Sequence, residues 1–85
     1  MCSYLTVKTP VAGSGKGPQG WFRLQTATVY VDHPYHAPYE HTLNIDFANA
    51  ELAPGSRVAV ELSADSARAL VRCIEAALAS AAPGG

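Results

Sequence analysis

The chain is predicted to be an α+β domain: a four-stranded antiparallel meander with one C-terminal helix packed on one face. Three stretches carry this reading. "EHTLNIDF" alternates apolar and polar residues at period 2, and "RVAVEL" does the same over a shorter span. "SADSARALVRCIEAALAS" instead places Ala67, Leu70, Val71, Ile74, Ala77 and Leu78 at the 3,4 spacing of a single buried helical stripe. Short connections favour antiparallel neighbours, and the helix stripe needs an apolar sheet face to cover.

In chain order, the first strand spans about 3–9, where Leu5 and Val7 alternate with Thr6 and Lys8. The glycine-rich "GSGKGPQG" at 13–20 reads as a flexible connection, long enough to act as a lid over a neighbouring pocket. The second strand spans about 21–33. Its early apolar residues (Phe22, Leu24) and later ones (Ala27, Val29, Val31) fall on opposite parities, so a bulge or bend is expected near Gln25 and Thr26. The third strand, about 40–47, sets His41, Leu43, Ile45 and Phe47 on one face and Thr42, Asn44 and Asp46 on the other. The fourth, 57–62, turns Val58, Val60 and Leu62 inward. The helix runs over about 64–81, with Ser63 as its N-cap, Asp65 in the first turn where the dipole favours a carboxylate, and Pro83 with the final glycines beyond its end. Asp65, Arg68, Arg72 and Glu75 form a solvated face with local ion pairs, and Cys73 beside the stripe reads as a small buried filler. Residues 1–85 suffice for one modest core and thus one domain.

Composition removes several function classes. Six basic against seven acidic residues, with no cationic run, argue against a nucleic-acid partner or an anionic membrane surface. "MCSYLTVKTP" lacks a basic segment followed by a long apolar one, and nowhere do 18 apolar residues run together, so a cytoplasmic location is expected. In that compartment Cys2 and Cys73 are expected to be free thiols.

The chemistry concentrates in "DHPYHAPYEH" at 32–41, which holds all three histidines. If the second and third strands form a hairpin centred on Ala37, Val31 faces Leu43, Val29 faces Ile45 and Ala27 faces Phe47. On the other face Asp32 meets Thr42, Tyr30 meets Asn44 and Thr28 meets Asp46. A slip of one residue would set Val29 and Val31 against polar partners, so the pattern specifies the register strongly. The same register opposes His33 to His41, with Cβ atoms about 4.5–5.5 Å apart, and leaves His36 in a turn stiffened by Pro34 and Pro38. Three imidazoles with an open position suit a catalytic divalent transition metal, zinc foremost. The expected ligands are His33, His36 and His41, with Cys2, Glu40 or Asp32 as a fourth or supporting group. Glu40 is the candidate general base on a metal-bound water.

Two other readings compete. The histidines can cap the sheet edge by hydrogen bonds to Asp32, Glu40 or backbone carbonyls. Alternatively, two facing imidazoles that resist double protonation leave one neutral, as a base or a pH-sensitive contact. Tyr35 and Tyr39 would wall a small ligand or pack the loop. "GSGKG" with Lys16 lacks the phosphate-loop pattern, and Trp21 and Phe22 open a strand where that motif needs a helix. Loss of Met1 would place the Cys2 thiol beside a free amine, a candidate ligand or nucleophile. Capping accounts for Ser63 and Ser66 without catalysis.

With "GSGKG", "GWF", "DHPYHAPYEHTLNIDF" and "RVAVELSADSARAL" together, nearly the whole chain resembles a family of small bacterial proteins, common in actinobacteria, classed as a domain of unknown function. The resemblance implies a shared Asp-His-Pro-x-His-Ala-Pro-x-Glu-His arrangement that includes His33, Pro34, His36, Ala37, Glu40 and His41, with Tyr35 and Tyr39 variable. It implies no activity. The functional expectation is a small metal-binding protein, with metal-assisted chemistry through Glu40 as an extension. The alternative is a non-catalytic interaction module in which the histidines are structural. In either case a homodimer is expected, because one helix cannot cover both sheet faces.

Overall fold

The structure, a computed structural model, describes residues 5–32, 41–52 and 55–81. Six strands precede one helix: β1 (Val7–Pro10), β2 (Ser14–Gly17), β3 (Gly20–Arg23), β4 (Thr26–Asp32), β5 (Thr42–Ala48), β6 (Arg57–Leu62) and α1 (Ala64–Ser80). The main sheet has the order β1-β4-β5-β6, and all its neighbours are antiparallel. The four segments expected to pair in succession do so. The departure from a single meander is a second, two-stranded sheet formed by β2 and β3.

That second sheet occupies the stretch expected to be a flexible connection. Ser14 pairs with Arg23 and Lys16 with Trp21, so "SGKG" is a strand despite its poor β propensity. Gly20 makes the tight return possible: its φ of 112° lies where side chains are strained. The expected 21–33 strand is therefore two strands, broken at Leu24 and Gln25. The Val11 N–H donates to Gln25 O at 3.0 Å and the Leu24 N–H to Gly13 O at 2.8 Å. Two steps along the first strand thus match one along the second, which is a bulge at Ala12. It lets one long hairpin leave the main sheet and fold over. A Cβ at Gly15 would stand 2.9 Å from Leu24 Cδ2 and 3.4 Å from Val58 Cγ2, so the β2 backbone lies close over β6. β1 is a short, fully exposed edge that carries Lys8 and Pro10.

β4 and β5 pair in the predicted register from Thr26↔Ala48 to Asp32↔Thr42. β6 extends the apolar rows, with Leu43↔Leu62, Ile45↔Val60 and Phe47↔Val58. On the other face Arg57 clamps Asp46 diagonally across β5 and β6: Nη2 reaches both carboxylate oxygens at 2.9 Å and Nε reaches Oδ1 at 3.1 Å. The pair is partly exposed and contributes about 0.2–1 kcal/mol.

Burial departs from expectation in three respects. Thr42 and Asn44 were assigned to the polar face of the third strand, away from the helix, yet at 1% and 5% exposed they are among the most buried described residues. The helix stripe was expected to be buried, yet no residue of α1 is. Cys73, expected to be a buried filler, is an exposed free thiol. The cause is common to both helix corrections: α1 stands away from the sheet beyond its first turns. Its start is as read from the sequence, since Ser63 Oγ accepts from the Ser66 N–H at 3.1 Å and Asp65 lies in the first turn. Asp65 also meets Arg68 at 3.5 Å on the solvated face.

Gly20→Ala is expected to lower stability by about 1–3 kcal/mol through backbone strain. Gly13→Ala, where a Cβ would meet nothing within 4 Å, should leave it nearly unchanged. Urea unfolding of the two variants checks this.

Candidate functional site

An apolar cleft lies where α1 diverges from the sheet. Its floor is the apolar face, with Val29 and Val31 from β4, Leu43 and Ile45 from β5, and Leu62 from β6. Its roof is the helix stripe, with Ala67, Leu70, Val71 and Ile74. The alternation of β4 and β5 and the 3,4 spacing of α1 aim both surfaces into one space of about 430 Å³. That is within the range of small-molecule pockets. Its walls remain open to solvent: Leu70, Val71 and Ile74 keep between 40% and 56% of their surface exposed. His41 and Arg68 stand among the lining residues and supply its polar groups.

His41, immediately before β5, is half-buried. It is the one histidine of the predicted ligand set within the described residues. His33, His36, the proposed base Glu40 and Cys2 lie outside them, as do Tyr35 and Tyr39. The last described pair, Asp32↔Thr42, keeps the register on which an opposition of His33 to His41 depends. Among the described residues no group of three His, Cys, Asp or Glu side chains could hold a metal ion.

On the opposite face, Thr42 and Asn44 form a pair that the sequence reading did not select. The Thr42 hydroxyl donates to Asn44 Oδ1 at 2.7 Å, which satisfies two buried groups two residues apart on one strand. Asn44 lies between Tyr30 on β4 and Glu61 on β6, and Thr42 lies opposite Asp32. A polar row therefore crosses the sheet next to the histidine segment. The signal in the sequence is a run of hydrogen-bonding side chains at i and i+2 flanked by carboxylates, a pattern shared with any water-facing strand. Alternation alone thus does not separate the two cases.

A second lock holds the β5–β6 connection. Asn49, 8% exposed, donates through Nδ2 to Arg23 O at 3.0 Å and accepts from the Glu51 N–H at 3.0 Å. Gln25 adds a bond to Glu51 Oε2 at 2.7 Å and accepts from the Ala50 N–H at 3.3 Å. These groups, with Val11, Ala12, Gly13 and Leu24, line a polar hollow of about 370 Å³. Its amides are committed to tying the small hairpin to the main sheet.

Thr42→Val keeps the shape and removes the donor, leaving a buried carbonyl oxygen unmatched. A loss of about 1–3 kcal/mol is expected, with Thr42→Ser close to the parent, as read by chemical denaturation.

Among the described residues no helix is long and apolar enough to cross a membrane. No curated protein and no solved structure matches the chain. The match that does cover it, over residues 1–85, is to a family of unknown function, and the chain belongs to that family, DUF6295.

Proposed function

We propose that the chain is a non-catalytic interaction module that acts through the cleft between α1 and the sheet. One observation carries this reading: a 17-residue amphipathic helix with no buried residue, facing an apolar sheet surface across an open space. Water against such a surface is unfavourable by about 25 cal/mol per Å². Apolar patches of this kind, rimmed by polar groups, mark binding surfaces. The sheet carries the floor on regular strands, so the surface is formed before any partner arrives.

A second reading has its own support. The β4–β5 register ends on Asp32 and Thr42, consistent with His33 and His41 as neighbours at the end of the sheet. His33, His36 and His41, with Cys2 as a fourth ligand, would then hold a divalent transition metal, zinc by ligand chemistry. Glu40 would act as base on a bound water. His41 connects the two readings, since it also lines the cleft.

An environment-sensitive apolar dye should bind the protein and lose that binding in Ile74→Glu, with helical content retained by circular dichroism. Retained dye binding in that variant would place the working surface elsewhere. For the metal reading, untagged protein should carry a stoichiometric ion by elemental mass spectrometry, and the His33→Ala, His41→Ala double variant should lose it. A metal-free, equally stable parent removes that reading.

A further inference from the structure

We infer that the exposed stripe of α1 packs against α1 of a second copy of this chain, in an antiparallel pair about a twofold axis level with Arg72. This rests on the interaction-module reading and names its partner.

The first argument is area. No residue of the 17-residue α1 is buried, and Leu70, Val71, Ile74 and Leu78 along its stripe keep between 40% and 69% of their surface exposed, a continuous apolar run of the kind that a stable interface buries. A small apolar ligand would cover only part of such a surface. A second helix of the same length would cover the stripe along its whole run.

The second argument is self-complementarity. A twofold interface must match a patch to its own copy. Antiparallel alignment centred on Arg72 sets Leu70 of one copy against Ile74 of the other, and Ala67 against Ala77. Large residues thus meet large ones and small residues allow close approach at both ends. Nearly the same alignment brings Arg68 of one copy alongside Glu75 of the other, twice by symmetry. Within one helix these two residues are seven apart and do not neighbour each other, so they can pair with each other only between copies, while Arg68 also meets Asp65 of its own helix at 3.5 Å.

The test is the mass of the full-length protein by light scattering and sedimentation over a concentration series. The expected result is twice 8.9 kDa for the parent and a dissociation constant raised at least ~10-fold in Ile74→Glu and in Arg68→Glu. The Arg68→Glu, Glu75→Arg double variant should recover parent-like association. That recovery is a readout only the antiparallel alignment produces, and Ile74 is half exposed in the single chain, so its replacement spares the monomer fold. A dimer untouched by Ile74→Glu overturns the inference and moves self-association to another face. A dimer weakened by Arg68→Glu and not restored by the charge swap overturns the antiparallel alignment. A monomer at all concentrations overturns it as well. In that last case, dye binding abolished by Ile74→Glu keeps the cleft as a surface for another partner, and absent dye binding removes both.

Discussion

The antiparallel pairing of β4 with β5 is the constraint on which the other features rest. Seven consecutive pairs run from Thr26↔Ala48 to Asp32↔Thr42. Because side chains alternate at period 2, this alignment alone sends Val29, Val31, Leu43 and Ile45 to one face and Tyr30, Thr42 and Asn44 to the other. β6 inherits the alignment through β5, which brings Leu62 beneath the helix and Arg57 within reach of Asp46. A slip of one residue would put Thr42 and Asn44 under α1 and would leave the apolar row without the helix opposite it.

The distribution of burial is inverted relative to an ordinary small domain. Among the described residues Ala27 is the one buried hydrophobic, while Thr42, Asn44 and Asn49 are buried polar residues. Buried hydrogen-bonded groups contribute little net stability but penalise misalignment heavily. The interior of this sheet therefore serves alignment, and apolar burial is deferred to the cleft. A domain of this size has little stability in reserve, so the polar contacts that align its sheet carry weight.

How far each feature was legible depended on whether its signal is local. The bounds of β6, the cap at Ser63 and the β4–β5 alignment follow from nearest-neighbour patterns: alternation, a hydroxyl before a helical run, and matched apolar rows. The β2–β3 hairpin had no such pattern, because Gly15 and Gly17 are poor strand residues and their place is determined by close approach to Leu24, Val58 and Phe22. Periodicity in α1 identified which side is apolar. It carries no information on whether anything covers that side, which is why Leu70, Val71 and Ile74 were read as buried. The histidine clustering was visible at once, but of the candidate set only His41 falls within the described residues, at the rim of a cleft assembled from three strands and a helix.

The rim of the sheet at β1 bears on how such a chain avoids uncontrolled growth. Only four residues long, it presents a proline without an amide hydrogen and a lysine whose charge resists desolvation. A foreign strand seeking to add there finds a short, interrupted ladder. The molecule thereby discourages open-ended ribbon formation, which has no natural stopping point.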